Sequence, residues 1–203
     1  RKASGSVRII AGKWRGSKLE FSDADGLRPT SDRIRETLFN WLANDIADAS
    51  CLDLFAGSGV LSFEALSRGA EKVCALENNR VTCQKIGENK ARLSAEGLSL
   101  LNKDTMSWLD AMTNQGGGET GECFDIVFID PPFSADFSGS LPDLLEASAV
   151  CGPGAKIYLE QARNENRWQV PNSWQLLRDK EAGQVRNSLD QRGGYPVLGR
   201  CGY

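Results

Sequence analysis

An α/β fold on a mostly parallel sheet is predicted by two features of this 203-residue chain. Short apolar strands alternate with amphipathic helical patterns, the order that places helices on both faces of a sheet. Four of the predicted strands also run into a carboxylate, at Asp53, Glu77, Asp104 and Asp130. Ligands of such sheets sit beyond the carboxyl ends of the strands, so four carboxylates are expected on one rim. The length suits one domain, and 40% hydrophobic content is enough for a core. The expected division is a basic extension over 1–30, an α/β domain over 31–190 and an irregular tail over 191–203.

The extension reads as a short hairpin or extended arm through Phe21, broken at Gly12 and Gly16, with a loop to Pro29. A helix is predicted over about 31–42, because Ser31 or Thr30 can cap it and Ile34, Leu38, Trp41 and Leu42 recur at helical spacing. Residues 50–55 form a buried strand entering Ala56-Gly57-Ser58-Gly59, and helical spacing resumes over 60–68. A second apolar strand, 72–76, ends on Glu77 and is followed by an amphipathic helix over about 79–95. The third strand, 98–102, leads to Asp104 and a helix over 105–112, for which Asp104 is a candidate cap. The run Gly116-Gly117-Gly118 is a connector to the apolar strand that starts at Phe124. A helix over about 141–149 and a strand over 155–160 complete the alternation. Beyond Val185 the run Arg186-Asn187-Ser188-Leu189-Asp190-Gln191-Arg192 is not strand-like, and four glycines in the last eleven residues favour an irregular end.

The strand from Phe124 to Ile129 ends in Asp130-Pro131-Pro132-Phe133. Each proline lacks an N–H and fixes its own φ, so the backbone leaves the sheet with carbonyls free to accept. A base amine is a poor nucleophile because its lone pair is delocalised into the ring, and it becomes more positive as it attacks. Acceptors aimed at its hydrogens, here Asp130 and the Pro131 carbonyl, bind that transition state better than the ground state. Phe133 is the ring expected to stack on the base, at ~1–3 kcal/mol. A plain strand end followed by a proline turn is the competing reading.

The glycine turn carries the second half of the chemistry. Gly57 and Gly59 let the backbone approach a ligand, and the helix that follows favours an anionic group at its N-terminus. Glu77, twenty positions past Gly57, is placed to bind both hydroxyls of a ribose. The stretch from Gly57 to Ser62 is a near miss to the dinucleotide pattern, with Ser62 where a third glycine or alanine would stand, so a nicotinamide oxidoreductase is an alternative. Asp53 just before the loop suits an ammonium better than a pyrophosphate. The chain has no histidine and no Tyr-x-x-x-Lys pair, and S-adenosylmethionine fits better.

Asp53-Leu54-Phe55-Ala56-Gly57-Ser58-Gly59, Glu77, Asp104 and Asp130-Pro131-Pro132-Phe133, in this order, resemble class I S-adenosylmethionine-dependent methyltransferases that act on exocyclic amines. The runs from Arg8 to Gly16 and from Leu27 to Leu42 narrow the resemblance to the RsmD family, over roughly residues 7–185. It implies a Rossmann-like fold and methylation of a guanine of small-subunit ribosomal RNA at N2. It further implies cofactor contacts from Asp53, Phe55, Gly57, Gly59, Glu77, Asn78, Asp104 and Thr105, and catalysis by Asp130, Pro131 and Phe133. A DNA amine methyltransferase would share this pocket, and a noncatalytic RNA-binding assembly factor would share the basic extension.

Charge distribution bears on the partner. Residues 1–35 hold nine Lys or Arg against four acids, a balance of +5 within a chain of net charge −3. That basic extension is a candidate phosphate-contacting surface, with a solubilising tail as the competing reading. The expected RNA contacts are Arg8, Lys13, Trp14, Arg15, Arg28, Arg33 and Arg35; the three arginines of 28–35 have pairing with acids such as Glu36 as a second reading. The six cysteines show no Cys-x-x-Cys pair and read as buried thiols rather than metal ligands or disulfides. Without histidine, serine–histidine triads and histidine-ligated zinc fall away. No apolar run reaches membrane length and Arg1 to Arg15 does not read as a signal peptide, so a soluble cytoplasmic protein with no membrane partner is expected; the further expectations are a monomer and no metal.

Overall fold

The computed structural model describes residues 4–22, 30–114, 123–132 and 137–193. Arg28, Phe133 and the triple glycine lie outside the described residues. The chain divides into two compact units, 1–104 and 105–203.

The first unit opens with an antiparallel hairpin of β1 (Ser4–Arg8) and β2 (Lys18–Ser22), paired from Ser4 with Ser22 to Arg8 with Lys18. Helix α1 (Asp32–Trp41) is capped by Ser31, whose side chain accepts the Ile34 N–H. Then follow β3 (Ser50–Asp53), α2 (Val60–Ser67), β4 (Lys72–Leu76), α3 (Arg80–Leu93) and β5 (Leu98–Leu101). The three strands pair in parallel in the order β5-β4-β3. Every residue of α2 is buried. Its mostly apolar or small-residue surface explains why helical spacing appears there without a polar face.

The basic extension is not a loose arm. Glu64 of α2 is fully buried and accepts the N–H groups of Ile10 at 2.8 Å and Ala11 at 3.1 Å. Ser67 donates to the Ala11 carbonyl at 2.6 Å and accepts the Trp14 N–H, while the Lys13 N–H reaches the Ser67 carbonyl at 2.8 Å. On α3, Asn89 exchanges two hydrogen bonds with the backbone of Glu20. Gly12 makes this docking possible: its φ is +81°, and a Cβ there would stand 1.7 Å from the Ser67 carbonyl oxygen. Gly12→Ala is therefore expected to lift the 9–17 loop off α2. Loss of hydrogen-exchange protection at the Lys13 amide, with protection in β3 retained, is the measurement that checks it.

The second unit comprises α4 (Thr105–Asn114), β6 (Phe124–Ile129), α5 (Leu141–Ala147), β7 (Cys151–Ala162), β8 (Trp174–Ala182) and β9 (Val185–Arg192). Strand order is β6-β7-β9-β8; β6 and β7 are parallel, and β9 is antiparallel to both its neighbours. This corrects the expectation of an irregular segment after Val185: the strand runs through Arg192, past the boundary expected at 190. Several of its polar residues, which make the run look unlike a strand, are answered by partners elsewhere in the unit. Asn187 meets the Tyr158 hydroxyl, Arg186 pairs with Glu181, and Arg192 makes a two-pronged bond to Glu146 at 2.9 and 3.0 Å. With backbone partners on both edges, cross-strand pairing outweighs the low intrinsic propensity of Asn, Asp and Ser.

Cys51 and Cys151 are buried free thiols, and burial pushes the Cys151 thiol up to about 12. Cys74, Cys83 and Cys123 are free thiols of intermediate exposure. No helix of the described residues is long and apolar enough to cross a membrane.

Candidate active site

In the first unit the parallel register brings the carboxyl ends of three strands level. Asp53, the last residue of β3, pairs with Ala75; Leu76 pairs with Leu101, and the Glu77 N–H donates to the Leu101 carbonyl at 3.0 Å. Asp53, Glu77 and, shortly after β5, the exposed Asp104 therefore lie at the same end of the strands. Asp53 is buried and accepts the Ser62 hydroxyl at 2.6 Å. Ser62 is the residue that departs from the dinucleotide pattern, and its hydroxyl ties the end of β3 to the first turn of α2.

Gly57 and Gly59 adopt φ of +52° and +77°, in the left-handed region open to glycine. A Cβ on Gly59 would come within 3.1 Å of the Phe63 ring. Gly59 begins α2 without a side-chain cap, so the helix starts with backbone donors unscreened by a side chain. Glu77 spans this loop: one carboxylate oxygen accepts the Gly57 N–H at 2.9 Å and the other the Asn79 N–H at 2.7 Å. Burial raises its proton affinity, against the backbone hydrogen bonds from Asn79, Gly57 and Asn78. A carboxylate offers about four acceptor positions. Those not taken by the loop amides suit a pair of vicinal hydroxyls.

No local sequence pattern marks Asn102, yet its amide donates to the Glu77 carbonyl at 2.8 Å and the Asn78 carbonyl at 2.9 Å. It fixes the turn that carries Asn78, which is exposed, while Asn79 caps α3. Phe55 is half-buried beside the loop in sequence.

In the second unit Thr105 is buried at the start of α4. Asp130 follows directly on β6 and is half-buried; Pro131 is buried and Pro132 exposed. Next to this strand end lies a polar cluster that the sequence did not reveal. Glu160 of β7 is 4% exposed, and its Oε2 is 2.8 Å from the Tyr158 hydroxyl. Burial and the charge of Asp130 push Glu160 up to about 8. Burial likewise drives the Tyr158 hydroxyl well above its ordinary value.

The expected RNA contacts divide. Arg8, Lys13, Arg15 and Arg33 have exposed side chains. Trp14 is half-buried: its ring meets Phe63 edge-on at 6.4 Å, and Lys13 Nζ lies 4.2 Å from its centroid. Arg35 corrects the expectation. It is fully buried, donating to the carbonyls of Thr30 and Arg8 and pairing with Glu64 and Asp32. A guanidinium enclosed this way has no face for a phosphate; its acids are Glu64 and Asp32 rather than Glu36.

A parallel sheet with interleaved helices, whose first strand end opens on a glycine turn spanned by an acid from the second, defines a Rossmann-like methyltransferase fold. The solved structure described as the putative methyltransferase yhhF from Escherichia coli superposes with a TM-score of 0.80 at 43% identity, covering 93% of this chain and 99% of that one. A family model described as Conserved hypothetical protein 95 matches residues 7–191. The Ribosomal RNA small subunit methyltransferase D of Escherichia coli K12 is 45% identical over 93% of this chain and 91% of its own length. That of Haemophilus influenzae is 42% identical over 93% and 95%. The chain belongs to the RsmD family of methyltransferases. With that, the nicotinamide reading is set aside.

Proposed function

We propose that this protein transfers a methyl group from S-adenosylmethionine to the exocyclic N2 amine of a guanine in small-subunit ribosomal RNA. The observation that carries the reading is the placement of Asp130-Pro131-Pro132 directly at the carboxyl end of β6, where the chain leaves the sheet. Bound S-adenosylmethionine supplies a methyl group made electrophilic by its sulfonium. Glu77 would hold the ribose hydroxyls, the Gly57–Gly59 turn would admit the methionine part, and Asp53 braces that turn through Ser62. Asp104 and Asn78 would border the adenine.

Asp130 and the Pro131 carbonyl accept the hydrogens of the attacking amine, and their stabilisation grows as the nitrogen becomes positive. Holding the amine in line can supply roughly 7–11 kcal/mol of the barrier. Phe133 would stack on the base, and Arg8, Lys13, Trp14, Arg15, Arg28 and Arg33 would contact RNA phosphates and sugars, fixing register while the pocket reads the base. The setting is the cytoplasm, with naked RNA or a small-subunit particle as substrate.

The test is transfer of labelled methyl to small-subunit RNA, naked and in particles, from cells lacking this protein. N2-methylguanosine in either is the expected product. Cofactor binding without transfer to either RNA would overturn the reading and point to DNA.

A further inference from the structure

We propose that Glu160 is a positioning residue for Asp130, the two acids forming a pair that holds one proton at neutral pH so that a single negative charge faces the amine. This rests on the amine-methylation reading above. Ile129 is the register partner of Leu159, so Asp130 stands one step further on, beside Glu160. Residues in register on parallel strands face the same side, and Tyr158 shares that side two residues earlier. Asn187 of β9 is the register partner of Glu160 and closes the cluster. The groups facing Glu160 are thus Asp130 from the end of β6, Tyr158 from its own strand and the neutral Asn187; among the described residues no cation pairs with it.

The hydrogen bonds accommodate the neutral acid. The Tyr158 hydroxyl has one hydrogen, yet it is 2.8 Å from Glu160 Oε2 and 2.9 Å from Asn187 Oδ1. A protonated Glu160 resolves the count by donating to Tyr158, which donates to Asn187. Turning the Asn187 amide over lets Tyr158 donate to an ionised Glu160 instead, so the same three residues serve both states. Burial and the neighbouring charge of Asp130 favour the neutral acid, with the change near pH 8. Above that, two adjacent carboxylates repel, and Asp130 is driven from the position in which it accepts from the amine.

The sign for stability follows from the raised affinity. The folded state holds a proton that the unfolded state releases near the ordinary value of 4.5, so this contribution is full below 4.5 and is lost as pH rises towards about 8. Two measurements test the pair. In methyl transfer, kcat of the unaltered protein should fall above about pH 8. Glu160→Gln, a permanent mimic of the neutral acid, should keep kcat within roughly threefold at neutral pH and lack that alkaline fall. Tyr158→Phe should move the fall to higher pH, because the hydroxyl donor to the charged form is gone. A side chain that merely packs would move neither limb.

Thermal melting gives a readout independent of activity. The unaltered protein should lose more stability than Glu160→Gln between about pH 5 and pH 9. Equal melting slopes, or an alkaline limb retained in Glu160→Gln, would overturn the pair. Absent transfer by the unaltered protein would instead count against the proposed reaction, leaving the melting comparison to judge Glu160. Should Glu160→Gln fail to fold, the direction of the limb shift in Tyr158→Phe decides.

Discussion

Asp130→Ala is expected to lower methyl transfer by roughly 10²–10³-fold or more, while the Kd for S-adenosylmethionine changes by less than about threefold. The asymmetry comes from where the groups lie. The glycine turn is braced within the first unit by Glu77 bonding to Gly57 and Asn79, and by Asp53 bonding to Ser62. None of those bonds involves Asp130. In the proposed reaction its carboxylate is asked for only when the amine nitrogen becomes positive, so its loss would belong to kcat rather than to cofactor affinity. Asp130→Asn keeps an acceptor oxygen but replaces the other by a donor facing the amine hydrogens, and should recover little. Calorimetric titration of the cofactor, set beside single-turnover transfer, separates the two quantities. A folded Asp130→Ala protein that no longer binds cofactor would count against the assignment.

Glu64→Ala is expected to cost about 3–5 kcal/mol of unfolding free energy, the range for breaking a buried ion pair by removing one partner. Glu64 and Arg35 are both fully buried and meet at 3.2 Å, and Arg68 reaches the other Glu64 oxygen at 2.8 Å. Removing the acid leaves the Arg35 guanidinium short of a charge and strips the Ile10 and Ala11 N–H groups of their acceptor. Urea unfolding of Glu64→Ala measures this loss. Replacing both partners, as Glu64→Met with Arg35→Met, should recover part of it, because the fully buried Arg35 charge is then removed together with its partner. A double variant no more stable than Glu64→Ala would mean that the lost backbone acceptor, rather than the stranded guanidinium, dominates.

Much of the first unit was legible because its signals are local. The cap at Ser31, the glycine turn after Asp53 and the acid at Glu77 are each written in a few adjacent residues, and each is found at its expected place. The helix α2 was legible in extent but not in role: nothing near Glu64 announces that residues 53 and 54 positions away in the chain will donate to it. Arg35 misled for the same reason. A cation in a basic stretch reads as surface until the acids that enclose it are known. Strand β9 was hidden by composition, since Asn187, Ser188 and Asp190 look like loop residues without their partners on β7 and β8. Glu160 was hidden behind it, being an ordinary strand acid until Tyr158 and Asn187 are seen beside it.

Helix α2 starts at the glycine turn and, one and two turns later, clasps the basic extension through Glu64 and Ser67. Deleting residues 1–17 would look like the removal of an RNA-binding appendage. It would also take away two donors to Glu64 and the Arg8 carbonyl that Arg35 uses, loosening the helix that follows the glycine turn. Such a shortened protein would conflate the proposed substrate recognition with the integrity of the proposed methyl-donor site. Charge removal at Lys13 and Arg15, whose side chains are exposed, leaves the clasp in place, and a reduced salt dependence of RNA affinity then reports phosphate contact alone.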